Sequence, residues 1–348
     1  MKTDPHLVKS PVGILSDKEN TMSYLIGIDG GGTKTLGVLT DINGTVLAQA
    51  AVAATNPNDV TLPVAVERLE ALCRSLLERG GVGESALAET SLFFGIAGGI
   101  NYGPALEESL RALFPAAQAL AVRSDIHILL SGEIPEGDGA CIICGTGSAC
   151  FLRRGSELIR IGGWGYLLDS GGSGYDMGRD ALEAALRHFD GRGEPTLLSH
   201  LLEVHLGGAV NTRITEIYRA GKPYIAACAP LVFDAARQGD AVAEAILERN
   251  ARRLAEYAEC AWRWLTEDGR SVPDALPVVM GGGIAVHEAP AWQARIRALT
   301  DPAVPAVYSA AAMPPVFGAV AEALRRSSDG TKPGFTELRT AFSASFTP

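Results

Sequence analysis

Short apolar runs alternate with glycine-rich or polar segments through most of the chain. In the first third, four such runs predict strands at 24–28, 36–40, 45–50 and 91–96, with a shorter one at 120–122. Helical spacing of apolar residues predicts helices over 64–77 and 105–114, and Asn43-Gly44 between two runs predicts a hairpin turn. Mixed strands and helices in this order indicate an α/β fold.

The strand, glycine loop, strand, turn, strand order of the first segment then recurs. Its second copy comprises strands 140–144, 149–152 and 157–161 with a loop at 145–148. A glycine-rich run over 162–178, a helix from Asp180, mostly helical sequence to Leu265, a strand at 277–280 and a last helix over 317–326 follow. We therefore predict a flexible extension at 1–21, domains at 22–134 and 135–330, the second with a helical insertion, and a tail at 331–348.

Composition and charge exclude several classes of protein. Lys and Arg number 30 against 40 Asp and Glu, a net charge of −10, and no basic block suggests nucleic-acid binding. No apolar run reaches the ~18–20 residues that span a bilayer. The six cysteines include Cys141 and Cys144, which lie in a predicted buried strand and point to opposite faces, unlike a metal or redox pair. We expect a reducing, cytoplasmic location.

Glycine is enriched, with 40 residues in 348, and three glycine clusters follow predicted strands. These loops are 29–35, 145–148 and 281–283, and each exposes backbone N–H groups that can hold phosphate oxygens. Ligands of open α/β sheets bind at the carboxyl ends of strands. None of the loops fits a P-loop or a dinucleotide-binding fingerprint. Asp29 beside a phosphate loop requires an intervening cation, which favours Mg²⁺ over a turn-capping role.

Three motifs resemble those of a known superfamily. Ile28-Asp29-Gly-Gly-Gly-Thr-Lys-Thr35, Cys144-Gly-Thr-Gly-Ser148 and Met280-Gly-Gly-Gly-Ile284 resemble the phosphate-1, phosphate-2 and adenosine motifs of the actin/hexokinase/Hsp70 ATPases. Gly162-Gly-Trp-Gly165 and Gly171-Gly-Ser-Gly-Tyr175 resemble the BadF/BadG/BcrA/BcrD branch, in particular its N-acetylglucosamine kinases. The resemblance implies two ribonuclease-H-like domains with ATP in the cleft between them.

The resemblance also implies residue roles. Asp29 would bind Mg²⁺ and Asp125 would be the catalytic carboxylate. The implied ATP-binding residues are Gly31, Gly32, Thr33, Lys34, Thr146, Gly147, Ser148, Gly281, Gly282 and Gly283, and the implied sugar-binding residues are Asn56, Gly163, Trp164 and Asp169.

Asp125 is open to two interpretations on spacing alone. A sugar hydroxyl that attacks a phosphoryl group needs a carboxylate to orient it and take its proton. Equally, Ser124-Asp125 precedes a possible helix over 126–130 and resembles an N-cap. The family resemblance favours the catalytic role. Two departures concern the sugar pocket: Ile126 and His127 are bulky, and Ser170 replaces a Glu of the family pattern.

The sequence is compatible with three functions. The first is an ATP-dependent amino-sugar kinase acting on a hydroxyl, O6 by preference, of N-acetylglucosamine or glucosamine. The second is an activator ATPase of 2-hydroxyacyl-CoA dehydratases, which needs exposed cysteines for an iron–sulfur cluster. The third is a sugar-sensing regulator without turnover. The oligomeric state stays open, with a homodimer among the alternatives.

Overall fold

The computed structural model describes residues 23–169, 171–267, 273–330 and 332–347. The strands are β1 Tyr24–Gly30, β2 Lys34–Asp41, β3 Val46–Ala53, β4 Thr90–Ile96, β5 Ala119–Ser124, β6 Gly139–Cys144, β7 Ser148–Arg154, β8 Glu157–Ile161, β9 Leu276–Gly281 and β10 Ala306–Ala310. The predicted extension 1–21 and Ser170 lie outside the described residues.

The helices of the described residues lie between and after these strands. They are α1 Leu62–Arg79, α2 Gly99–Leu113, α3 Asp125–Glu133, α4 Gly174–Phe189, α5 Leu198–Leu206, α6 Ile214–Ala220, α7 Lys222–Ala226, α8 Ala229–Arg237, α9 Ala241–Thr266, α10 Gly283–His287, α11 Ala291–Leu299, α12 Pro315–Arg326 and α13 Phe335–Ser345. Short 3₁₀ turns cover Glu84–Glu89 and Val210–Thr212.

Two five-stranded sheets share one topology. The first has the order β3-β2-β1-β4-β5 and the second β8-β7-β6-β9-β10. In each, three antiparallel strands form a meander, and two further strands run parallel to its first strand. This arrangement confirms the repeat of topology predicted from the sequence, although β10 was not among the predicted strands.

Helices separate the two sheets and cover their outer faces. Helices α1 and α2 pack on one face of the first sheet, and α3 and α12 pack on the other. The opposite side of α3 packs on the second sheet, where Ile126 contacts a cluster that contains Cys141 and Val279. Helix α9 covers the far face of the second sheet. Helix α3, which begins at Asp125, therefore lies between the two sheets.

Two helices differ from the sequence prediction. Helix α4 begins at Gly174 rather than at Asp180, because Ser173 and Asp176 form a capping box that starts it six residues earlier. The helix at 317–326 is not the last one, since α13 follows within the predicted tail. Leu338 and Phe342 of α13 are buried in the core on the inner face of the first sheet. We propose that α12 and α13 belong to the first domain.

Two of the sequence predictions concern a metal or redox pair of cysteines and a membrane-spanning segment. Cys141 and Cys144 are both fully buried in β6 and belong to the cores on opposite faces of the second sheet, as predicted. Burial raises the pKa of both thiols. Among the described residues, no helix is long and apolar enough to cross a membrane.

Candidate active site

The first glycine loop lies at the carboxyl edge of the first sheet. Gly31 N donates to Lys34 O at 3.1 Å, which closes a tight turn after β1. The Gly31 carbonyl accepts from Thr55 N and Asn56 N, and Ala97 N donates to Gly30 O at 2.7 Å. The turn is therefore held from both sides, while Gly32, Thr33 and Lys34 are exposed. Its free N–H groups and the Thr33 hydroxyl are suited to binding phosphate oxygens.

Asn56 is fixed in place beside this loop. Its Nδ2 donates to Asp59 Oδ2 at 2.6 Å, and its Oδ1 accepts from Asn58 N at 3.0 Å. A methyl group on Gly32 would lie only 2.5 Å from Asp59 Oδ2, so Asp59 contacts the phosphate loop as well. The amide predicted to bind the sugar thus has a set orientation, and Asp59 is the residue that sets it.

Asp125 lies close enough to Asp29 for its charge to raise the pKa of Asp29. Alternation along β1 places Asp29 on the inner face with Leu25, towards α3. Burial, and then the charge of Asp125, raise the pKa of Asp29 to about 6. Burial also raises the pKa of Asp125. Two partly desolvated carboxylates at one point are the oxygen donor set that a hard divalent cation prefers, so these residues fit Mg²⁺.

Asp125 is the first residue of α3 rather than its N-cap. Ser124 occupies the cap position, and Asp125 Oδ1 accepts from the adjacent Ile126 N at 3.0 Å. A residue that caps a helix binds the N–H group two or three positions further on. The geometry therefore leaves the carboxylate available at the sheet edge, and the catalytic role stays a prediction.

The two bulky residues after Asp125 pack away from it. Ile126 is buried against the second sheet. His127 stacks on Phe93 with ring centroids 5.7 Å apart, and its Nε2 lies 3.3 Å from Glu322 Oε1. His127 is thus a packing residue.

The second glycine loop lines a cavity of about 290 Å³. Gly145 N donates to Gly147 O at 3.0 Å, and the N-terminus of α4 binds the same loop, with Gly174 N donating to Gly145 O at 2.7 Å. Thr146, Gly147 and Ser148 line the cavity together with Gly163 and Asp169. The predicted phosphate-2 residues therefore face one cavity that is open to solvent.

A second cavity of about 410 Å³ adjoins the first and shares Gly145 and Thr146 with it. Its other walls are mostly apolar and come from α7, α8 and α10: Pro223, Ala226, Ala227, Pro230, Phe233 and Ile284. Gly283 lines it as well, while Gly282 has φ +95° and a methyl group there would lie 2.6 Å from Cys144 O. A flat apolar cavity beside a phosphate loop is suited to a nucleobase and ribose.

The three predicted sugar-binding residues after β8 do not all line the same cavity. Asp169 Oδ2 accepts from Gly163 N at 2.6 Å and from Trp164 N at 3.2 Å, so this carboxylate closes the 163–169 loop. The Trp164 side chain is 63% exposed, and the Arg160 guanidinium lies 4.7 Å from its ring centroid. Gly163 and Asp169 line the smaller cavity, and Trp164 lines neither cavity.

We expect Asp169→Asn to raise the sugar KM by roughly 10–100-fold and to leave the KM for ATP unchanged, because a charge-assisted bond to a sugar hydroxyl is lost. The Asn carbonyl can still accept from the Gly163 and Trp164 N–H groups, so Tm should change little. Asp169→Ala serves as the comparison and should lower both Tm and sugar affinity. An unchanged sugar KM for Asp169→Asn would leave Asp169 as a loop-closing residue alone.

Sequence reasoning missed two residues that the fold brings to the site. Asp59, three positions after Asn56, could have been found from the Asn-Pro-Asn-Asp sequence, in which polar side chains bind one another across a turn. Lys222 lines the smaller cavity beside Gly147 but belongs to the helical insertion. No local pattern marks it, because only the folding of α7 against the loop brings it there.

The chain is similar to known sugar kinases in sequence and in structure. The family described as "BadF/BadG/BcrA/BcrD ATPase family" matches residues 26–323. The N-acetylmuramic acid/N-acetylglucosamine kinase of Clostridium acetobutylicum is 35% identical over 239 residues, which are 67% of this chain and 77% of that protein. The chain belongs to the BadF/BadG/BcrA/BcrD ATPase family. The N-acetyl-D-glucosamine kinase of Dictyostelium discoideum is 30% identical over 74% of this chain and 84% of its own length.

Solved structures show the fold of this family member. A Chromobacterium violaceum protein named as a candidate N-acetylglucosamine kinase has a TM-score of 0.62 and 25% identity, covering 87% of this chain and 99% of its own. A ROK family glucokinase from Streptomyces griseus, solved with glucose and AMPPNP, has a TM-score of 0.50 at 21% identity, covering 88% and 99%. The predicted pair of ribonuclease-H-like domains is confirmed, and membership of an ATPase family implies that the chain uses ATP.

Proposed function

We propose that this chain is an ATP-dependent amino-sugar kinase that phosphorylates O6 of N-acetylglucosamine or glucosamine. The observation that supports it most is the position of Asp125. This half-buried carboxylate lies beside Asp29 at the edge of the first sheet, on a helix that packs against the second sheet. Three relatives that are 35%, 30% and 24% identical to this chain are named as kinases of amino sugars.

The proposed reaction is an in-line phosphoryl transfer. The sugar O6 forms a bond to the γ-phosphorus of ATP, the bond from that phosphorus to the β–γ bridging oxygen breaks, and Asp125 accepts the O6 proton. The transition state is loose, so the proton leaves late and Asp125 need only be ionised and correctly placed. Its raised pKa makes Asp125 a stronger base than an exposed Asp.

The remaining residues bind and orient the reactants. The N–H groups at 32–33 and 146–147 in the two loops hold the phosphates from the two domains, and the apolar cavity holds adenosine. Asp29 would hold Mg²⁺, which when bound neutralises the negative charge of the phosphate oxygens. Asn56, oriented by Asp59, and Asp169 would bind the sugar hydroxyl and amide groups.

A coupled ADP-release assay tests the proposal. With Mg²⁺ and ATP, we expect N-acetylglucosamine or glucosamine to stimulate ADP release at least tenfold over the sugar-free rate. Glucose, N-acetylmannosamine and N-acetylmuramic acid complete the panel, and phosphorus NMR of the product identifies the phosphorylated hydroxyl. No stimulation by any sugar would contradict the kinase function, and a product phosphorylated elsewhere would contradict O6.

The activator ATPase makes a different prediction for the purified protein. Such an activator holds an iron–sulfur cluster on exposed cysteines, whereas Cys141 and Cys144 are buried in β6. Among the described residues, no group of three or more His, Cys, Asp and Glu side chains is placed to bind a metal. Stoichiometric iron with sulfide in anaerobically purified protein would favour the activator, and colourless protein with sugar-stimulated turnover would favour the kinase.

A further inference from the structure

Lys222 lies at the junction of the two cavities. It is the first residue of α7, and it lines the smaller cavity together with Gly147 and Ser148. The next residue, Pro223, lines the larger apolar cavity. Since Gly145 and Thr146 line both cavities, the start of α7 forms a wall at the point where they meet.

The Lys222 ammonium directly approaches the second glycine loop. A methyl group on Gly147 would lie 3.0 Å from Lys222 Nζ, so the ammonium lies close to the loop backbone. Nζ also lies 5.5 Å from the centroid of the Tyr166 ring. The ring, the helix start and the loop together hold the cation at the cavity wall.

Among the described residues, no carboxylate forms an ion pair with Lys222. The side chain is half-buried, and within the described parts of the chain no Asp or Glu lies within ion-pair distance of its Nζ. Asp169 lines the same cavity, but its Oδ2 is bound by the N–H groups of Gly163 and Trp164. A half-buried ammonium group without a counterion, in a cavity with free backbone N–H groups, is a site for an anion.

The path of a nucleotide identifies that anion. A base and ribose in the apolar cavity would direct the phosphate chain past Gly145 and Thr146 into the smaller cavity. The phosphates would then meet Lys222 on the side of the second domain, opposite the 31–33 loop. The anion chemistry that fits is therefore a nucleoside di- or triphosphate rather than a free carboxylate.

We propose that Lys222 binds the β-phosphate oxygens of the nucleotide and neutralises the charge that develops on the leaving diphosphate. This inference rests on the proposed kinase function, and it adds a residue from the helical insertion to the site. A point charge on a flexible stem can stay close to the β-phosphate oxygens as that charge develops. The insertion then contributes to catalysis as well as to the adenosine cavity.

The test compares nucleotides that differ in their phosphates. Lys222→Met removes the charge at similar length, Lys222→Arg keeps it, and Lys332→Met is the matched control, since Lys332 Nζ is exposed and donates to Arg325 O. Calorimetric titration measures the Kd for ADP and for adenosine, and the ADP-release assay measures kcat.

For Lys222→Met we expect ADP affinity to fall at least tenfold, adenosine affinity to change less than twofold, and kcat to fall roughly 10–100-fold. Lys222→Arg should retain most ADP binding, and Lys332→Met should resemble the wild type.

The outcomes separate this inference from the proposed function. Wild-type turnover with unchanged ADP binding in Lys222→Met would overturn the inference and leave the kinase intact. An equal loss of adenosine and ADP affinity would assign Lys222 to the stability of α7 and would also overturn it. A selective loss of ADP affinity in a protein that phosphorylates no sugar would support Lys222 as a phosphate-binding residue and contradict only the kinase function.

Discussion

Asp125→Asn is expected to lower kcat by about 10²–10⁴-fold, the range for loss of a general base. The Asn side chain can orient the sugar hydroxyl but cannot accept its proton. ATP affinity should change little, because the adenosine and phosphate-2 cavities are lined by other residues. Stability should be unchanged or higher, since burial raises the pKa of Asp125 and the ionised carboxylate therefore destabilises the folded state.

Steady-state kinetics with saturating sugar and ATP, together with Tm, measure this effect. Asp41→Asn is a matched control, because Asp41 lies at the far end of β2 from the phosphate loop and accepts from Asn43 N and Thr45 N, as Asn also can. The control should keep wild-type kcat. A near-normal kcat in Asp125→Asn, with a lowered Tm, would instead make Asp125 a structural residue at the start of α3.

Asp29→Asn is expected to abolish Mg²⁺-dependent turnover and yet to stabilise the ligand-free protein. A bound metal contributes several kcal/mol of transition-state stabilisation, so kcat/KM should fall by at least about 10³-fold. Without ligand, the Asp29 carboxylate is destabilising when ionised, since burial and Asp125 raise its pKa to about 6 from an ordinary value of 3.8. The neutral amide lacks this penalty.

The pH dependence follows from the direction of this pKa shift. Between pH 4 and pH 6 the folded wild type binds more protons than the unfolded chain, so its stability falls as pH rises through this window. The Tm of Asp29→Asn should therefore equal that of the wild type below pH 4 and exceed it by about 3–6 °C at pH 7–8. Thermal denaturation at a series of pH values, with and without Mg²⁺ and ADP, measures both effects.

Two results would contradict the assignment of Asp29. One is a variant less stable than the wild type at pH 7–8, which would mean that the carboxylate forms favourable contacts in the folded state. The other is a variant that keeps wild-type activation and thermal stabilisation by Mg²⁺. Either result would move the metal site away from Asp29.

The strands and their glycine loops were predictable because they depend on neighbours in sequence. Buried parallel strands appear as continuous apolar runs, and a glycine loop follows each one that ends at the site. The strand β10 was missed because its burial alternates over only five residues. The start of α4 was missed because glycines around Ser173 obscure its capping box.

Local sequence thus determined the duplicated sheet topology, the three glycine loops and the family resemblance that implies roles for Asp29, Asn56 and Asp125. It could do so because strand formation and tight turns depend on side chains a few residues apart. Tertiary structure alone decided which groups interact across the site. The packing of α3 between the two sheets brings Asp125 to Asp29 and raises its pKa, and the folding of α7 brings Lys222 to Gly147. Electrostatic coupling depends on distance through space and on burial, and neither quantity is encoded at any one position of the chain.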